Sequence, residues 1–132
     1  MNKKIIGLIG EKEDRDIVSN ILINDGYYKI SINERVKIVA DMLDNKDLDI
    51  VRERGYKFDS RYWINLTLSI IPKDKNLIII DDLRLEDIIE NLIKVYYISE
   101  DKEKIVPKYI ELIYRDKNIE EFKKLVNEKF GH

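Results

Sequence analysis

The sequence predicts an α/β fold, a three-layer sandwich with a five-stranded parallel sheet between layers of helix. Three observations carry that prediction. Ile5-Ile6-Gly7-Leu8-Ile9 and Leu77-Ile78-Ile79-Ile80 are apolar without alternation, as strands buried on both faces must be. Segments with helical spacing of apolar residues alternate with these runs and with weaker strand-like runs, the order that a parallel sheet requires. Gly, Pro, Asn and Asp clusters fall between the segments, where turns belong.

Taken in order, the first apolar run reads as the opening strand. Ile17, Val18, Ile21 and Leu22 mark a helix that stops at Asn24-Asp25-Gly26. Residues 27–32 read as a second strand. Asn33 is the expected cap of the next helix, whose apolar face is Val36, Val39, Ala40 and Leu43. Residues 44–49 and 55–60 read as polar connections, residues 61–71 as a helix, and Pro72 to Asn76 as a turn. After the second apolar run, Ile88, Ile89, Leu92 and Ile93 predict a further helix. Residues 95–98 and 110–114 read as strands joined through a charged loop at 99–104. Asn118 with Glu121 forms a capping-box-like start for a last helix carrying Ile119, Phe122, Leu125, Val126 and Phe130.

The 132 residues fit one domain, 1–132, and 44% hydrophobic content is enough for a real core. Charge is dense but balanced, with a net of −2, which argues against generic nucleic-acid binding or a membrane surface. The absence of cysteine excludes thiol chemistry and disulfides. No apolar run approaches the roughly 18 residues of a membrane span. The short run before Gly10 reads as a buried strand and not a signal peptide, so a cytoplasmic protein is expected. His132 is the sole histidine and the last residue, which argues against histidine catalysis.

Several segments together resemble the phage-type deoxynucleoside monophosphate kinases, a branch of the P-loop nucleotide kinase fold. They are Ile5 to Gly10, Gly26-Tyr27-Tyr28-Lys29-Ile30-Ser31-Ile32, Asp59-Ser60-Arg61-Tyr62-Trp63-Ile64-Asn65, Leu77 to Ile80 with Asp82-Leu83-Arg84, and the tail from Glu111 to Phe130. The likeness runs in order along nearly the whole chain, and it implies a sheet order of 2-3-1-4-5.

The departures from that family fall on its chemistry. A phosphate cradle needs glycines whose amides surround phosphate, then Lys-Ser/Thr for the outer phosphates and Mg²⁺. Here Gly10 remains, but Glu11-Lys12-Glu13-Asp14-Arg15-Asp16 follows, with four acids against two bases. Arg15 stands in the place of the lysine, and only the loop at 99–104 corresponds to the arginine-bearing lid. Like charges about 4 Å apart repel by roughly 1 kcal/mol in water and about 4 kcal/mol at an effective dielectric near 20. A triphosphate would meet several such repulsions. Acids at a helix N-terminus instead satisfy that terminus internally, and Asp14 is the expected cap.

The resemblance places candidate nucleotide-binding residues at Gly10, Lys12, Arg15, Arg54, Arg61, Trp63 and Arg84, and candidate metal ligands at Asp81 and Asp82. Arg15 and Asp82 are the only catalytic candidates. Each has a plainer alternative. Asp82 is equally placed to cap a following helix, Arg84 to be a surface charge, and Trp63 to be core. Arg52, Arg54 and Arg61 interleave with Tyr56, Phe58 and Tyr62, a pattern that fits either phosphate binding with base stacking or ordinary packing. One of Tyr96 and Tyr97 should face outward, available to an interface.

The expected function is therefore that of a catalytically impaired kinase homologue that binds a protein partner or a nucleotide, in a viral setting an antagonist of a host factor. One alternative is a minimal active deoxynucleoside monophosphate kinase, the only case in which ATP and Mg²⁺ are expected as cofactors. Another is a structural module without ligand, and a homodimer is compatible with each.

Overall fold

The computed structural model describes residues 3–130. Its strands are β1 (Lys4–Ile9), β2 (Tyr28–Ile30), β3 (Leu77–Ile80), β4 (Ile93–Ser99) and β5 (Ile110–Tyr114). Its helices are α1 (Lys12–Asn24), α2 (Ile32–Met42), α3 (Leu48–Phe58), α4 (Tyr62–Ser69) and α5 (Ile119–Phe130). The sheet is five-stranded, in the order β2-β3-β1-β4-β5, with every pairing parallel. Fold class and strand order both match the expectation. Among the described residues no helix is long and apolar enough to cross a membrane.

Strand alternation divides the core between the two faces of the sheet. Ile5, Ile78, Ile80, Ile93, Val95 and Ile110 face α2, α3 and α4, where Ile32, Val36, Ala40, Val51, Trp63 and Ile64 are buried. Ile6, Leu8, Ile79, Ile98 and Ile113 face α1 and α5, where Val18, Leu22, Phe122 and Val126 are buried. β1 and β3 contribute to both faces, which is why their sequences are apolar throughout.

Four expectations are corrected. The segment carrying Ile88, Ile89 and Leu92 is no helix: one 3₁₀ turn, Leu85–Asp87, gives way to a loop, and Ile93 opens β4 opposite Ile5. Asn91 adopts φ 67°, outside the right-handed helical region. Ile88 and Ile89 still pack on the core, so burial satisfies the apolar pattern without helix. The second strand is only Tyr28–Ile30, because Ile32 already begins α2. Asn33 does not cap that helix; the carboxylate of Asp82 does, accepting from the Ile32 and Asn33 amides at 2.7 and 2.8 Å. Finally, α3 fills much of what reads as two loops. Asp47 caps it, accepting from the Ile50 amide at 3.2 Å. Gly55 lies within it, and the Trp63 ring stands where a side chain at 55 would be, which accounts for a glycine inside a helix.

Candidate functional site

In an open parallel sheet, ligands sit beyond the C-terminal ends of the strands, where neighbouring connections leave toward opposite faces. Here the connection after β1 runs to the α1 face, and the one after β3 carries Leu83 onto the other. The crevice between the ends of β1 and β3 is the switch point of this sheet.

Internal bonds cross that crevice. The link from β1 to α1 is two residues, Gly10 and Glu11. Gly10 has φ +147°, and a Cβ there would stand 2.8 Å from the Ile98 carbonyl oxygen. Close approach to β4 therefore explains this glycine without reference to phosphate. Arg15 donates through Nε to the Gly10 carbonyl at 2.8 Å and through Nη1 to the Asp81 carbonyl at 2.6 Å. One guanidinium thus joins the end of β1 to the end of β3. The Leu83 amide adds a bond to the Leu8 carbonyl at 3.1 Å.

The charges along α1 are also engaged. Lys12 pairs with Asp16 at 2.8 Å on the helix surface, and that hydrogen bond holds the Asp16 carboxyl below its usual value. Asp14 is not the expected cap. It is buried and accepts from Arg115 Nε at 2.8 Å, joining α1 to the residue that follows β5. The residue before α1, Glu11, makes no side-chain cap.

Asp81 and Asp82 follow β3 directly and are divided between two tasks. Asp81 Oδ1 accepts from the Ser31 hydroxyl at 2.6 Å, and Oδ2 lies 3.4 Å from Lys29 Nζ. Both oxygens of Asp82 accept from the start of α2, and Arg52 Nη1 lies 3.8 Å from Oδ2. Burial raises the Asp82 carboxyl above its ordinary value, only partly offset by the Asn33 and Ile32 amides. Among the described residues no group of three or more His, Cys, Asp or Glu side chains could hold a metal ion. In the structure the two carboxylates serve ion pairing and the capping of α2.

Beneath the crevice lies a buried network. Arg52, 1% exposed, donates to Tyr56 Oη, Asn33 Oδ1, the Asp82 carbonyl and Asp87 Oδ2 at 2.9, 2.9, 2.9 and 3.0 Å. Tyr56 donates to Asp87 at 2.8 Å, and the Arg84 amide donates to Asp87 Oδ2 at 2.8 Å. Trp63 Nε1 donates to the Arg52 carbonyl at 2.8 Å. Burial disfavours the Arg52 cation, yet the Tyr56 hydroxyl and the two carboxylates outweigh it and hold the guanidinium charged. Burial pushes the Asp87 carboxyl and the Tyr56 phenol up.

The candidates separate into distinct places. Gly10, Arg15, Asp82 and Arg84 share a cleft of about 360 Å³ with Asn33, Arg52 and Tyr97. Lys12, Arg15, Asp81 and Asp82 line a second cleft of about 330 Å³ with Lys29 and Lys37. Arg54 and Trp63 instead line an apolar groove of about 300 Å³ between helices, and Arg61 is exposed before α4. Arg84 pairs at the surface with Asp49 at 3.4 Å and Glu53 at 3.3 Å.

The interleaved Arg and aromatic residues of α3 split by helical spacing. Arg52 and Tyr56, four apart, turn inward; Arg54 and Phe58, four apart, turn outward. Asp87 and Asn33 complete the network, and Asp87 escapes the sequence reading because its side-chain partners, Arg52 and Tyr56, lie 35 and 31 residues away. A scan of protein-family models and a search of curated proteins each give no match.

Proposed function

We propose that this chain is a nucleotide-kinase-like domain that acts by binding a partner protein and does not transfer phosphate. The observation that carries this reading is Arg15 donating to the carbonyls of Gly10 and Asp81 across the crevice. To meet a phosphate, that guanidinium would first have to release two backbone acceptors, leaving them unsatisfied at a cost of about 1–3 kcal/mol each where they are buried. The two-residue link offers few amides to surround phosphate, and acids dominate the first turn of α1. Asp82 and Arg52 are likewise committed to holding α2 and the loop after β3.

Arg84 supports a second, weaker capacity. Its partners are surface carboxylates, and exposed pairs of this kind contribute about 0–1 kcal/mol. It is therefore the cation of the cleft most readily exchanged onto the phosphate of a deoxynucleoside monophosphate.

A thermal-shift panel tests both statements. ATP with Mg²⁺ should leave the melting temperature unchanged at millimolar concentration. A ligand at 100 times its Kd stabilises by about 2.7 kcal/mol, which such a panel resolves. Any shift with a monophosphate should vanish in Arg84→Ala. A clear shift with ATP, lost in Arg15→Ala, counts against the proposal.

A further inference from the structure

We propose that Ser31 is a nucleophile for acyl transfer, with the Asp81 carboxylate as its general base. Ser31 directly precedes α2, at the place where a serine oxygen ordinarily accepts an amide hydrogen of the first turn. Asp82 has taken that task, accepting from both the Ile32 and the Asn33 amides. The Ser31 hydroxyl instead donates to Asp81 Oδ1 at 2.6 Å. A carboxylate only accepts, so the hydroxyl proton already points at the group that would remove it. Among the described residues nothing donates to this oxygen, and its lone pairs remain for an electrophile. Lys29 Nζ lies 3.4 Å from Asp81 Oδ2 and holds the base from its other side. A nucleophile, its base and a third group that orients the base are the parts an activated serine needs. Asp81 is 7% exposed, whereas Ser31 is half-buried and lines the polar cleft of about 330 Å³ with Lys29. The base is shielded, and the hydroxyl is within reach of a small substrate.

The lining of the cleft decides the class of substrate. Its carboxylates are each matched: Asp16 by Lys12, Glu34 by Arg35, Asp81 by Lys29, and Asp82 by Arg52 and two amides. Arg15 and Lys37 are the cations of the lining left over, so the cleft offers positive charge. Arg15 is held by two carbonyls, and Lys37, exposed on α2, is the residue to meet an anion. The substrate is therefore a small carboxylic ester with a negative charge on its acyl part. Ser31 Oγ forms a bond to the acyl carbon while its proton passes to Asp81 Oδ1. The bond from that carbon to the leaving oxygen breaks, and the leaving oxygen takes the proton from Asp81. Water then repeats both steps at the acyl-serine, which releases the acid and restores the hydroxyl. Neither step involves a phosphate, so this inference and the proposed function stand or fall separately.

Incubation of the purified protein with the p-nitrophenyl monoester of succinic acid tests it, with nitrophenol release followed by absorbance and the acylated residue located by peptide mass mapping. The succinyl group should appear on Ser31 as an ester that hydroxylamine removes, and Ser31→Ala should lose both the adduct and the release. Asp81→Asn should slow release about 100-fold, the lower end for a general base, with an unchanged circular dichroism spectrum. Lys29→Met should slow it and Lys29→Arg restore it. Neutral p-nitrophenyl acetate should react about fivefold more slowly, each ester scaled to its rate with N-acetylserine amide, as one screened charge pair implies. Lys37→Met should remove that preference. A wild type no faster than Ser31→Ala, or succinyl found on lysine and not on Ser31, overturns the proposal. Ser31→Ala removes a single hydroxyl, so this comparison decides the matter even where Asp81→Asn fails to fold. Release by a folded Asp81→Asn at the wild-type rate overturns the role of Asp81, and equal scaled rates for the two esters overturn the substrate class.

Discussion

Arg52 is the residue on which most of the interior polar structure converges. It joins α3 to the start of α2, the end of β3 and the loop after it through Asn33, Asp82 and Asp87. Arg52→Ala would strand the fully buried Asp87 carboxylate, and removing one partner of such a pair costs about 3–5 kcal/mol. Denaturant unfolding should report that loss. Burial raises the Asp82 and Asp87 carboxyls, so folding takes up protons there. Their contribution is fullest below the unfolded aspartate value of about 3.9 and is lost as pH rises through the folded values. The stability of the wild type relative to Asp82→Asn should therefore decline from about pH 4 toward neutrality; a pH-independent difference contradicts this assignment. In the sequence, Asp82 is visible as the polar end of an apolar strand, but the helix it caps begins 50 residues earlier. Local spacing points to capping of the next segment, and the fold selects the other helix.

At the level of elements, the start of α1 is held by internal bonds. Asp14 and Arg115 form a pair mostly shielded from water, and breaking it should cost about 2 kcal/mol, between the surface and buried limits. A double-mutant cycle with Asp14→Ala and Arg115→Ala should show strong coupling, the second substitution adding little to the first. Replacing residues 10–16 with a Gly-rich Gly-Lys-Ser/Thr loop should lower the melting temperature of the free protein, because Arg15 and Asp14 lose their partners. An unchanged melting temperature would mean that the segment has no structural task. β1, β3 and α5 are legible in the sequence because apolar run, cap and period agree. The segment after Arg84 and α3 are not. In the first, a helical spacing of isoleucines is satisfied by loop packing and by pairing of Ile93 with Ile5. In the second, Gly55 and a charged composition hide a helix in which the glycine makes room for the Trp63 ring.

For the molecule as a whole, the strand order is β2-β3-β1-β4-β5, and the crevice beyond the C-terminal ends of β1 and β3 is bridged by the chain's own side chains. Apolar runs and alternation are enough to predict a parallel sheet, since both faces of β1 and β3 are buried. The crossing of the crevice is not legible, because Arg15 and Asp81 are far apart in sequence and their bond involves a main-chain carbonyl. The central claim is that this arrangement binds without transferring phosphate. The most direct measurement is product analysis of the purified protein incubated with ATP, Mg²⁺ and each of the four deoxynucleoside monophosphates. No deoxynucleoside diphosphate should form above the level given by Arg15→Ala. Steady diphosphate production by the wild type, abolished by Arg15→Ala, would contradict the account.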